Sequence, residues 1–112
     1  MIEIVKLAIP VKTNAYDGDI AQLIKAAAQD LRIAGIPVDG VNISVTWTGG
    51  RAAVTDLSTL DDPLIIRAIC AYVRANFGSP EDYDRLKAAY DENKAQLQTA
   101  TGYGMEDDDG AQ

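Results

Sequence analysis

The chain has 112 residues and a mass of 12.0 kDa, which suits one domain that folds without metal ions or disulfide bonds. Its 17 acidic and 10 basic residues give a net charge of −7, which argues against a protein whose main task is to grip phosphates. The absence of histidine excludes a histidine-based zinc site and a Ser-His-Asp triad, and the single cysteine excludes an internal disulfide.

No apolar stretch approaches the ~20 residues needed to cross a bilayer. Residues 1–6 lack the basic and apolar regions of a secretory signal, so we expect a cytoplasmic protein that does not engage a membrane.

The first two predicted elements are helices. Apolar residues at helical spacing predict a short first helix from Ile2 that ends at or before Ile9, because the residue before a proline avoids the α region. A longer apolar stripe predicts the second helix: Ile20, Leu23, Ile24, Ala27, Leu31 and Ala34. Either Asn14 or Asp17 can cap its start, and Gly35 suits the left-handed residue after its end.

The pattern then changes to a period of two residues, which is typical of a half-buried strand. Apolar Val41, Ile43, Val45 and Trp47 alternate with polar residues, and the turn signal Gly49-Gly50 follows. Residues 52–55 can form the return strand of a hairpin, although an extended arm remains open.

Two further helices follow, closely joined. Asp62 and Pro63 are a typical cap and first residue for the third helix, which Gly78 ends. Ser79 and Pro80 then restart the chain as a fourth helix, so an αα-hairpin is expected. Tyr83, Leu86, Tyr90 and Leu97 share one side of this helix, and Glu81 and Arg85 are spaced to pair on another. The predicted fold class is mainly α, with about four helices and a β-hairpin or arm between the second and third.

Acidic charge is concentrated near the end of the chain. Residues 1–78 carry eight acidic and seven basic residues, whereas residues 79–112 carry nine and three. The last stretch combines Glu106, Asp107, Asp108 and Asp109 with three glycines and has no apolar period. We therefore expect one domain over residues 1–98, with its hairpin or arm at about 40–56, and a flexible acidic tail over 99–112.

No residue pattern assembles a nucleophile, a base and an oxyanion site, so the chain is predicted to be a non-enzyme without cofactor or metal. Asp17 and Asp19 suit a helical first turn better than a cation site, and the acids at 106–109 lack the spacing of a calcium loop. Cys70 lies within the third helix and no histidine is present to activate it.

The residues that remain are candidates for contact with another subunit or a partner. They are Val41, Ile43, Val45, Trp47, Arg51, Tyr103 and Met105. Trp47 can anchor the hairpin to the core or act as a binding hot spot, and the strand edge can accept a neighbouring strand. The sequence leaves these alternatives open.

Three helical segments carry a resemblance to a known family. They are residues 19–36, residues 62–78 and residues 83–97. The most specific is Asp-Pro-Leu-Ile-x-Arg-Ala-Ile … Tyr-Val-x-Ala-x-Phe-Gly, followed by a Tyr-x-x-Leu-x-x-x-Tyr helix. From about Val5 to Gly104 the chain resembles the small head–tail connector proteins of tailed bacteriophages, also called head-completion or adaptor proteins.

The resemblance implies a structural subunit that forms a ring of about a dozen copies below the portal after DNA packaging. Such a ring extends the DNA channel and joins the head to a tail-side completion protein at the virion head–tail junction. It implies assembly in the bacterial cytoplasm, in a phage or prophage, with DNA passing without sequence-specific binding. The acids at 106–109 would then repel DNA phosphates in the channel.

Two other classes of function compete with this interpretation. One is a small acidic protein-binding or regulatory module, acting as a monomer or dimer through the Trp47 strand or the acidic tail. The other is a helical nucleic-acid-binding domain, whose candidate cations are Arg67, Arg74, Arg85, Lys87 and Lys94.

Overall fold

The computed structural model describes residues 1–78 and 80–100, and within them it contains four helices and one β-hairpin. The elements are α1 (Ile2–Ala8), α2 (Asp17–Ile33), β1 (Ile43–Thr48), β2 (Arg51–Asp56), α3 (Pro63–Asn76) and α4 (Tyr83–Ala100). The predicted fold class is confirmed, and the segment between the second and third helices is a hairpin rather than an arm.

Helix α2 is the centre of the fold, because it contacts α1, α3 and both strands. Its predicted stripe forms much of the core, since Ile20, Ile24 and Leu31 are completely buried. Val5 of α1 and Ile69 and Val73 of α3 pack into the same cluster. Its off-stripe residues Lys25, Gln29 and Arg32 are exposed, as the periodicity predicts.

The C-terminal end of α2 has the predicted glycine cap. Gly35 adopts a φ of 88°, the N–H of Ile36 donates to the carbonyl of Leu31, and the N–H of Gly35 donates to that of Arg32, both at 3.0 Å. Because glycine has no Cβ, it adopts this left-handed conformation without steric cost.

The start of α2 differs from the prediction, because neither candidate side chain caps it. Tyr16 is the N-cap residue and makes no side-chain cap bond. Lys6 Nζ instead donates a hydrogen bond to Asn14 Oδ1 at 2.8 Å and forms an ion pair with Asp17 Oδ1 at 2.9 Å. Lys6 is only 6% exposed, and a buried ammonium group needs such partners to offset its lost hydration. The same contacts fasten α1 to the start of α2.

The hairpin turns through Gly49 and Gly50, both with positive φ, as a two-residue turn of the I′ type requires. Ile43 pairs with Asp56 at the open end of the hairpin, and Trp47 pairs with Ala52 near the turn. At the open end, the Asp56 carboxylate accepts hydrogen bonds from the N–H of Ile2 at 2.7 Å and the N–H of Ser58 at 3.1 Å. The Met1 amino group also lies 2.9 Å from it. Asp56 therefore caps α1 from a distant part of the chain.

Helices α3 and α4 form the predicted αα-hairpin. Asp62 caps α3 by accepting from the N–H of Leu64 at 3.0 Å and of Ile65 at 3.4 Å. Helix α4 begins at Tyr83, later than predicted, because residues 81–82 form a turn. Arg85 pairs with Asp82, so the expected pairing with Glu81 is wrong.

Polar contacts tie α4 to α2. Both the hydroxyl of Tyr90 and Lys94 Nζ bind the Asp30 carboxylate, and Gln98 Nε2 donates to the carbonyl of Ala34 at 2.7 Å. The bond from Tyr90, followed by Lys94, lowers the pKa of Asp30 despite its partial burial. Helix α4 ends at Ala100.

The Asp56 contact makes stability depend on pH. Burial disfavours the charged form of Asp56, but the bonds from Ile2, the terminal amine and Ser58 outweigh it and lower the pKa from 3.8 to about 2. A depressed pKa stabilises the fold above the unfolded value and loses its effect as pH falls through the folded value. We therefore expect Asp56→Asn to lose about 2 kcal/mol of pH-dependent stability relative to wild type at neutral pH.

Urea unfolding of both proteins between pH 7 and pH 2 measures this difference. It should shrink between about pH 4 and pH 2. The exposed Asp39→Asn variant is the matched control, and an equal pH dependence in the two variants would contradict the assignment.

Candidate functional site

The predicted contact residues on the hairpin occupy different environments. Ile43 is 5% exposed and belongs to this subunit's own core, while Val41 and Val45 pack partly against it. Trp47 is 51% exposed, and Arg51 is exposed beside the turn. The part of the hairpin that is exposed for contact with another molecule is therefore the end that carries the turn. We call Trp47, Arg51 and the two turn glycines the hairpin tip.

Trp47 rests on α2 at a residue without a side chain. A Cβ built on Gly18 would lie 2.6 Å from Ala52 Cβ and 2.9 Å from two ring atoms of Trp47. Such distances are shorter than van der Waals contact, so the hairpin packs directly on the helix backbone. The indole is fixed on one side by α2 and keeps half of its surface exposed, which combines features of an anchor and of an interface residue.

A cavity of about 700 Å³ lies between the start of α2 and the end of α3. It is lined by Tyr16, Asp19, Gln22, Leu23, Asn76, Phe77 and Gly78, which we call the α2–α3 groove. The rings of Tyr16 and Phe77 meet edge to face with centroids 5.5 Å apart. The sequence analysis missed this groove, although an aromatic residue beside each helix end was a visible signal.

The hairpin tip and the groove differ in charge. Arg51 is the one charged residue of the tip and Asp19 is the one charged residue lining the groove. Within the described residues neither makes an ion pair, whereas the neighbouring Asp17 is engaged by Lys6. The two acids at the start of α2 thus have separate roles, and Asp19 remains available to solvent.

The other candidate residues are placed as follows. Cys70 is half-buried in α3, and burial raises the pKa of its thiol although Arg74 opposes the shift. Across residues 1–78 and 80–100 no three His, Cys, Asp or Glu residues form a metal-binding group, and no helix could span a membrane. Tyr103, Met105 and the acids Glu106, Asp107, Asp108 and Asp109 lie outside the described residues.

Comparison with family models assigns the sequence to a known family. Residues 1–104 match the model of the family described as "Phage connector protein", which covers most of the chain. The chain belongs to this family of phage connector proteins, and the resemblance predicted from the helical segments is confirmed. It is a structural protein of the bacteriophage head–tail connector type. The comparisons with curated proteins and with solved structures found no match.

The close packing at Gly18 predicts the direction in which Gly18→Ala changes the free energy of unfolding. Helix propensity alone would make Gly18→Ala stabilising by about 1 kcal/mol. The short contacts to Ala52 and Trp47 reverse this, and we expect a net loss of about 1–3 kcal/mol as the hairpin is pushed away. Chemical unfolding followed by the fluorescence of Trp47, the single tryptophan, reports both the stability and the docking of the hairpin.

Two exposed alanine positions provide the control for helix propensity. Ala26 is exposed on α2 and Ala88 on α4, so Ala→Gly there should cost about 1 kcal/mol without changing the tryptophan spectrum. A stabilised Gly18→Ala variant with an unchanged spectrum would contradict the packing of the hairpin on α2.

Proposed function

We propose that this chain assembles into a ring of about a dozen copies below the portal, with the hairpin tip as one of its contact surfaces. The ring extends the DNA channel and presents a surface to the tail-side completion protein. The half-exposed Trp47, packed against Gly18 of α2, is the observation that carries this proposal. Membership of the connector family supports the location at the virion head–tail junction and assembly in the bacterial host.

A ring needs two different faces on each subunit, because every copy meets one neighbour on each side. The exposed apolar side chains support this requirement. Leu7 on α1, Ile33 at the end of α2, Leu57 after β2 and Trp47 are each more than half exposed. They lie on separate elements and leave exposed apolar side chains for contact with other molecules.

The ion pairs of the basic residues on α4 support a channel through which DNA passes without being bound. Arg85 pairs with Asp82, Lys87 with Asp91 and Lys94 with Asp30. Cations engaged by carboxylates of their own chain have less net charge to offer to phosphates. This weakens the nucleic-acid-binding alternative, for which these residues were the candidates, although Arg67 and Arg74 on α3 remain outside any ion pair among the described residues.

Ring assembly is tested by native mass spectrometry over a concentration series, with and without a portal protein, and by negative-stain microscopy of large species. We expect closed rings of about a dozen copies, at least on the portal. A monomer or dimer under every condition, including with the portal, would contradict the proposal and favour a protein-binding module.

The acidic segment gives a second test. We propose that Glu106, Asp107, Asp108 and Asp109 repel DNA phosphates from the channel, so Asp107, Asp108 and Asp109 changed together to Lys should slow DNA release. Changing the same three residues to Asn is the matched control, since it removes charge without adding attraction. Particles carrying each variant are compared by the rate of DNA ejection, and equal rates in wild type and the Lys variant would remove the repulsion hypothesis.

A further inference from the structure

The hairpin tip and the α2–α3 groove have complementary properties on one chain. The tip has an exposed indole and one cation, and the groove is concave, with two aromatic side chains and one carboxylate. Neither charged group forms an ion pair with residues 1–78 or 80–100. Trp47 and Arg51 leave opposite faces of the hairpin, since Trp47 pairs with Ala52 while Thr48 pairs with Arg51. A cavity that encloses the tip would therefore meet both side chains.

The groove is not filled by the tip of the same chain. Trp47 rests on Gly18, and it is not among the residues that line the groove. Asp19 and Gln22, one and four residues further along α2, line the groove instead. The tip would have to give up its packing against Gly18 to turn into its own groove.

Electrostatics favour a second copy as the occupant. Two copies of a chain with a net charge of −7 repel each other, so their contact needs a local region of opposite sign. The hairpin tip carries a charge of +1 through Arg51, and the groove carries −1 through Asp19. The aromatic residues on both sides, Trp47 facing Tyr16 and Phe77, are the types enriched at the centres of interfaces.

We propose that the hairpin tip of one copy inserts into the α2–α3 groove of the next, with Arg51 facing Asp19. This inference rests on the proposed ring and names its subunit contact. Because the two surfaces are different, each copy uses its tip toward one neighbour and its groove toward the other, and such a head-to-tail contact forms a ring when the rotation between copies closes.

Charge reversal tests the pairing directly. Arg51→Glu and Asp19→Arg should each weaken assembly about tenfold or more, because each places like charges together. The double variant, Arg51→Glu with Asp19→Arg, restores opposite charges and should recover assembly. Lys25→Glu and Asp39→Arg make the same charge changes at exposed sites elsewhere and are the matched controls.

Sedimentation velocity measures assembly under the conditions that give wild-type rings, with the portal where it is required. The fluorescence of Trp47 is a second readout, which should shift to the blue on assembly and stay unshifted in the single variants. All four charged positions are exposed, so circular dichroism of the dissociated variants should match that of the wild type.

Each outcome decides between the two proposals. Loss in both single variants with recovery in the double variant supports the contact. Wild-type rings that tolerate the single reversals, or a double variant that does not recover, would overturn this contact and leave the ring function in place. If the wild type stays monomeric, alone and on the portal, both proposals fail. Recovery in a species that is only a dimer would keep the contact and contradict the ring.

Discussion

The close packing of the hairpin on α2 at Gly18 is the constraint on which the rest of this structure depends. A two-stranded hairpin is marginal by itself in water, so its position has to be supplied by the helices. Here the turn end rests on the backbone of α2, and the open end is fastened to α1 through Asp56. With both ends held, Trp47 and Arg51 are presented at a defined place on the surface.

Helix α2 fixes the position of the hairpin relative to the other helices, because it contacts both strands as well as α1 and α3. Its apolar face packs against α1 and α3, and its polar residues bind side chains of α1 and α4. Asp17 engages Lys6 of α1, and Asp30 engages Tyr90 and Lys94 of α4. The described part of the molecule is elongated, with extents of 54 × 31 × 19 Å. Such a flat, internally fastened subunit suits a structural connector, whose surfaces must keep fixed positions relative to one another.

Local signals predicted the elements well because they depend on nearby residues. The Asp62-Pro63 start of α3, the Gly35 end of α2 and the Gly49-Gly50 turn are each decided within a few positions of the chain. The hydrophobic periods then identified the buried faces. These features specify one mainly α fold with a hairpin, and the structure confirms it.

The largest omissions concern contacts between different elements, whereas the pairing of Arg85 failed locally, with Asp82 in place of Glu81. The cap of α2 was predicted from Asn14 and Asp17, but buried Lys6, from a different helix, takes both side chains. The α2–α3 groove joins Tyr16 to Phe77, residues that no local pattern brings together. Sequence also left Trp47 undecided between core and interface, because its exposure depends on how far the hairpin extends along α2.

A ring contact at the hairpin tip would link this fold to the connector function. Cryo-electron microscopy of the chain assembled on a portal protein tests it most directly. We expect a closed ring in which Trp47 of each subunit packs against Tyr16 and Phe77 of its neighbour, with Arg51 beside the neighbour's Asp19. A ring whose subunits meet elsewhere while the hairpin tip faces solvent, or a portal that carries no ring, would contradict it.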